Sequence, residues 1–225
     1  MRVILIKLQD TNSKLLNKQA MTQAVTSPTF PRLLVEHSNK IPNHPAYREK
    51  DLGIWQVISW QENFEQVKKI ACGLASLGFK RGMNLAIIGD NRPKLYQTML
   101  AAQCLGGIPV PLYQDAVANE MIHVLNDADI VFAVVEDQEQ VDKLLEIKDQ
   151  APKLTTIIYE DPKGLKDYVQ DYLHSLEQVQ SLGNAFATDH PEFFMTEIET
   201  GKDTDLSVIL YTSGTTGKPK GVSHT

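Results

Sequence analysis

From about residue 30 onward the apolar positions alternate between two rhythms. Phe64, Val67, Ile70, Ala71, Leu74 and Leu77 recur three or four apart, the spacing of a helix with one buried stripe. Ser59 and Glu62 stand ahead of that stripe as a capping box, the hydroxyl of one and the carboxylate of the other accepting from free backbone N–H groups. Gly78 provides the stop. Between helical stretches lie short runs that are apolar throughout, at 85–88 and 130–135, and a mostly apolar one at 155–159. Such runs suit strands covered on both faces.

The remaining elements follow the same logic. Leu33, Leu34 and His37 fit a short helix ending before Pro42, and 54–58 reads as a strand with Gln56 at its centre. Asn91 is placed to cap a helix with Pro93 in its first turn, running to about Leu105 and broken by Gly106 and Gly107. Pro109 and Pro111 make 108–113 a short or edge strand. Helices are expected at 117–127, 138–149 and 165–182, then a polar connection over 183–203 and a last strand ending at Tyr211. Glu136, Asp137 and Glu139 suit a helix N-terminus, where carboxylates favour the dipole. His123, on an apolar helix face, is expected to pack, as are Trp55 and Trp60 at the two ends of a strand. Alternation of short apolar strands with helices gives the fold class: α/β, with helices around a mainly parallel sheet. In such sheets ligands bind beyond the carboxyl ends of the strands, and the end of the last strand, at Tyr211, is read as such an end.

Composition narrows the function. The chain has 225 residues and a net charge of −6, which disfavours nucleic acid as a partner. No apolar run is long enough to span a bilayer, which leaves only peripheral membrane contact open. The two cysteines, Cys72 and Cys104, lack metal-ligand spacing and read as buried thiols of a reducing, cytoplasmic compartment.

The chemistry sits at the end of the chain. After the apolar run 206–211 come Tyr211, Thr212, Ser213, Gly214, Thr215, Thr216, Gly217, Lys218, Pro219, Lys220 and Gly221. Glycines let successive backbone N–H groups form an anion-binding nest, the hydroxyls add donors, and two lysines bring positive charge. This set suits a polyphosphate. Only Thr215 and Thr216 separate Gly214 from Gly217, which is not the spacing of a nucleotide-binding P-loop. Pro219 and the following Val222 favour a strand–loop–strand hairpin over a loop–helix. His224 is read as an ordinary residue of the return strand.

The stretch from Tyr211 to Gly221 resembles the signature loop of the acyl-adenylate-forming superfamily of AMP-dependent synthetases and ligases. Gly89 to Pro93 and Gly106 to Tyr113 resemble a helix-opening turn and a strand entry of acyl-CoA synthetases. Leu52 to Gln56 and Tyr113 to Val117 look most like bacterial long-chain fatty-acid–CoA ligases. The resemblance implies that residues 30–225 are the N-terminal portion of an AMP-binding synthetase domain, ending just after the phosphate loop, with 1–29 a variable extension. It implies ATP, Mg2+ and CoA as substrates or cofactors, and a carboxylic acid, in particular a long-chain fatty acid, as the group activated to an acyl-adenylate and then to a thioester. The family's catalytic residues and acidic metal ligand lie beyond this loop, so no catalytic or metal-binding residue is assigned within the chain. The alternative is a non-catalytic truncated fragment or binding module of the same family.

Overall fold

The computed structural model describes residues 29–212 and 218–225. Helix α1 (Phe30–Lys40) leads to an antiparallel hairpin of β1 (Pro45–Asp51) and β2 (Ile54–Ser59), followed by α2 (Trp60–Ser76). Strand β3 (Asn84–Ile88), α3 (Pro93–Cys104), β4 (Ile108–Leu112), α4 (Ala118–Asp127), β5 (Ile130–Val135), α5 (Gln138–Glu146), β6 (Thr156–Tyr159) and β7 (Leu173–Ser175) follow. Helices α6 (Leu176–Asp189) and α7 (Phe193–Thr200) precede a second antiparallel hairpin, β8 (Val208–Thr212) and β9 (Lys220–His224).

The main sheet is parallel and runs β4-β3-β5-β6-β7. Strand β3 has apolar side chains on both faces, so it divides the core in two. Leu85 and Ile87 join a cluster with Ile70, Leu74, Ala101, Val179 and Phe194, drawn from α2, α3, α6 and α7. Ala86 and Ile88 join another with Met121, Leu125, Val141 and Leu144 of α4 and α5. This is the α/β architecture expected. Strand β4, with its two prolines, lies at the sheet edge. The capping box at Ser59 and Glu62 is formed.

Four local expectations are corrected. The residue before Pro93 that serves as N-cap of α3 is Arg92, with no side-chain cap bond; the Asn91 amide oxygen instead accepts from the Tyr96 hydroxyl at 2.7 Å. The stretch 165–172 is not helical: Tyr168 is tied to Asp142 and Gln138 of α5, and Leu173 to Ser175 are drawn into the sheet by pairing with β6. The helix begins only at a second capping box, Ser175 with Gln178. Region 183–203 is not a loop, because α6 continues to Asp189 and α7 buries Phe194 and Ile198. Trp60 packs against the core beside His37, but Trp55 is 64% exposed.

Strand β1 was not foreseen. Its charged sequence becomes a strand by pairing with β2 across a two-residue turn, Leu52 and Gly53, at φ 45° and 85°. Both angles positive define the turn type that matches strand twist. For Leu52 this left-handed backbone costs about 1 kcal/mol.

Helices α2 and α6 cross backbone to backbone. A Cβ at Gly183 would fall on the Lys69 carbonyl oxygen, and one at Gly73 on that of Val179. Gly183→Ala is therefore expected to force the helices apart and cost about 1–3 kcal/mol, measured as a lowered urea midpoint at unchanged slope.

Candidate phosphate-binding site

The expected strand–loop–strand hairpin is present. Strand β8 pairs with β9 in antiparallel register, Tyr211 opposite Gly221 and Thr212 opposite Lys220. Tyr211, Thr212, Lys218, Pro219, Lys220 and Gly221 are thereby brought to one end of the hairpin. Ser213, Gly214, Thr215, Thr216 and Gly217 lie outside the described residues. The side chains of Lys218 and Lys220 are exposed, and neither enters an ion pair with a described residue. His224 is an exposed strand residue, as read from the sequence.

Helix α4 grips this hairpin on both sides of the loop. The Tyr211 hydroxyl donates to Asp127 Oδ2 at 2.6 Å. His123 Nε2 lies 2.8 Å from the Pro219 carbonyl oxygen; since a carbonyl only accepts, Nε2 carries the proton and donates. The His123 ring also meets Tyr211 edge to face, centroids 6.4 Å apart at 89°. Ile209 and Tyr211 pack against the α4–α5 side of the core. Gly221 is required beneath them: a Cβ there would lie 2.9 Å from Ile209 Cγ2 and 3.2 Å from the Tyr211 ring.

His123, expected only to pack, thus also holds the loop. Asp127 carried no signal beyond ending a helix. Their spacing of four places both on one helix face, but their partners lie 96 and 84 residues later in the chain, where no local pattern could reveal them.

The hairpin does not continue the parallel sheet, contrary to expectation. It forms a sheet of its own and runs beside edge strand β4. The carboxyl ends of the parallel strands hold something else. Because β3 connects outward to β4 while later strands build on its other side, the chain reverses direction between β3 and β5. At that crevice Glu136 accepts from the Asp90 N–H at 2.6 Å and from Arg92 Nε at 3.0 Å. Arg92 also reaches Glu49 at 3.2 Å, and Lys94 pairs with Glu160 at 2.6 Å. Glu49, Arg92, Lys94, Glu136 and Glu160 line a polar cavity of about 370 Å³. Asp137 and Glu139 behave as read, one as N-cap of α5 and the other in its first turn.

Other reactive groups are silent. Cys72 and Cys104 are buried free thiols, and burial pushes both above the ordinary range, so neither is a ready nucleophile. Among the described residues no three His, Cys, Asp or Glu side chains converge as metal ligands, and no helix is long and apolar enough to cross a membrane.

The sequence profile of AMP-binding enzymes matches residues 34–225. The chain belongs to the AMP-binding enzyme family. The long-chain-fatty-acid–CoA ligase ACSBG2 of Xenopus laevis is 30% identical over 216 residues, covering 95% of this chain and 28% of that protein. Human ACSBG2 is 28% identical over 197 residues, 88% of this chain and 29% of that protein. The chain therefore spans less than a third of the length of these relatives. Among solved structures, acetoacetyl-CoA synthetase from Streptomyces lividans superposes with a TM-score of 0.68 at 18% identity, over 86% of this chain and 30% of that one. The N-terminal domain of FACL13 from Mycobacterium tuberculosis gives 0.65 at 24% identity, over 87% and 44%. These structures share the fold of this chain.

Burial, then the hydrogen bond to Asp127 and its charge, raise the Tyr211 phenol above its ordinary range. A raised pKa means the folded state favours the protonated phenol. The stabilisation is full below the ordinary tyrosine value of about 10 and is lost as pH rises through the higher folded value. Tyr211→Phe should cost about 1 kcal/mol at neutral pH. The gap between wild type and variant in urea unfolding should stay flat to about pH 10 and shrink above it.

Proposed function

We propose that this chain carries the ATP-phosphate-binding portion of an AMP-forming acyl-CoA ligase whose acid substrate is a long-chain fatty acid. In this reading residues 30–225 are the N-terminal portion of the synthetase domain, and residues 1–29 are an extension to it. The observation that carries the reading is the loop from Tyr211 to Gly221, mounted on a hairpin whose neck is fixed by Asp127 and His123, with Lys218 and Lys220 in no ion pair among the described residues. The match of the AMP-binding family over residues 34–225 and relatives described as long-chain-fatty-acid–CoA ligases support it.

The chemistry asks little of acid–base groups and much of charge and alignment. The fatty-acid carboxylate attacks the α-phosphorus of ATP, forming acyl-adenylate and releasing pyrophosphate. The CoA thiol then attacks the acyl carbon, forming the thioester and releasing AMP. Charge accumulates on the departing pyrophosphate, so fixed donors that hold its oxygens lower the barrier, and fixing the phosphate chain aligns the leaving group with the attacking carboxylate. In this reading Thr212, Ser213, Thr215 and Thr216 give hydroxyls, Gly214, Gly217 and Gly221 let the backbone approach, Pro219 fixes the turn, and Lys218 or Lys220 supplies the positive charge. Mg2+ would enter with ATP. The described residues form no ligand cluster for it, and no step here depends on one. The buried free thiols of Cys72 and Cys104 support a reducing, cytoplasmic setting.

A second reading keeps the phosphate site and drops the turnover: a module that binds nucleotide phosphates. Fatty-acid-dependent exchange of labelled pyrophosphate into ATP separates the two. The ligase reading expects exchange with long-chain acids, and Lys220→Ala or Lys218→Ala lowering kcat/KM for ATP by about a hundredfold. Saturable ATP binding with no exchange on any carboxylic acid would leave the module. Absence of both would overturn the phosphate-site assignment.

A further inference from the structure

The hairpin of β1 and β2 presents two chemically different faces. Residues directly opposite in an antiparallel pair share a face. Tyr47 with Ile58, Glu49 with Gln56 and Asp51 with Ile54 form one of them. This face turns to the body of the protein: Tyr47 stacks on Tyr96 of α3, Glu49 binds Arg92, and Asp51 and Gln56 line the polar cavity there. Arg48 with Val57 and Lys50 with Trp55 form the other face. All four are exposed, Val57 at 52% and Trp55 at 64%. Leu52 projects from the turn with 95% of its surface in solvent.

Three features of this outer face belong together. Its cations, Arg48 and Lys50, form no ion pair with a described residue, and it carries no carboxylate, because the hairpin's two acids in this stretch point to the body. That separation of charge stands out on a chain of net charge −6. Its apolar groups are a tryptophan with Lys50 set 6.0 Å from the ring, a valine, and a leucine at the tip. Finally, the tip leucine occupies a left-handed backbone position that asparagine or glycine would fill without strain, and that strain is not offset by any burial.

We propose that the β1–β2 hairpin docks its outer face on an anionic lipid surface. Leu52 enters the acyl boundary and Trp55 lies at the headgroup level, where amphipathic rings settle. Arg48 and Lys50 meet lipid phosphates and carboxylates on the same side. The charge separation selects this occupant over a protein groove: a plane of diffuse negative charge over apolar tails matches two cations, in no ion pair among the described residues, interleaved with Val57, Trp55 and Leu52. The docking rests on the hairpin alone and stands whether or not the phosphate site turns over.

The test is sedimentation of the full chain with vesicles of phosphatidylcholine mixed with phosphatidylserine, against vesicles of phosphatidylcholine alone. A Trp60→Phe background makes Trp55 the single tryptophan reporter. The expected result is salt-sensitive partition onto the mixed vesicles only, with a blue shift of Trp55 emission. Removing both cations, as Arg48→Gln with Lys50→Gln, should weaken partition about twenty-five-fold, fivefold for each charge. Leu52→Asn is the decisive variant, because asparagine–glycine improves this turn: partition should fall several-fold while thermal stability holds or rises. Absence of partition onto the mixed vesicles overturns the proposal, as does partition that these variants leave unchanged. So does shielding of Trp55 from acrylamide before vesicles are added, since another part of the protein or a second copy would then cover the face.

Discussion

Strand β3 sets the architecture, because a strand with no polar side chain between Leu85 and Ile88 has no face to show to water. It must be covered twice. Parallel neighbours on both edges satisfy its backbone, and two separate apolar clusters cover its sides. One cluster takes α2, α3, α6 and α7, which is why α6 is pressed onto α2 closely enough for Gly73 and Gly183 to meet carbonyl oxygens. The other takes α4 and α5. That assignment carries His123 and Asp127 to the side of the sheet where the β8–β9 hairpin passes β4. The hold on the candidate loop is thus a consequence of how β3 is buried, well over a hundred residues earlier in the chain.

Elements that bury one clear stripe or a doubly apolar run were legible: α2 with its capping box, β3, β5 and β6 stand where their periodicity put them. Failures share a physical form. Leu173 to Ser175 have too few residues to show a pattern and become a strand only because β6 has an open edge. The charged β1 is made by its partner and its turn. Helix α6 did carry a readable start, Ser175 followed by Gln178, hidden inside a stretch read as one longer helix. Phe193, Phe194 and Ile198 likewise offered an apolar stripe too short to outweigh the polar residues between them.

The candidate loop was legible because its chemistry is contiguous: eleven neighbouring residues carry the glycines, hydroxyls and lysines. Its support was not, because a hydrogen bond between Tyr211 and Asp127 leaves no trace in either residue's neighbourhood. The expected location misled for a related reason. Sheets that reverse direction between β3 and β5 open a crevice at their carboxyl ends. Here the crevice receives the chain's own carboxylate: Glu136 sits on the Asp90 N–H and on Arg92 as an anionic ligand would. The Arg92 and Lys94 pairs with Glu49 and Glu160 add to that closure.

With the cations of that crevice paired from within, the candidate anion site lies elsewhere, and a two-stranded hairpin alone is a poor platform, being marginal in stability by itself. Donors converge on a phosphate only if the chain enters and leaves the loop at fixed points. Tyr211 fixes the entry through Asp127, and Pro219 fixes the exit through His123, both on one helix that is itself seated in the core by Met121, Val124 and Leu125. Gly221, opposite Tyr211 in the pairing, leaves room for its ring, so the two strands also hold each other. The anchoring of Tyr211 and Pro219 therefore comes from α4 as well as from the hairpin's own pairing. A change at Asp127 or His123 should then act on nucleotide phosphate affinity before it acts on the fold, whereas a change at Gly221 must act on both.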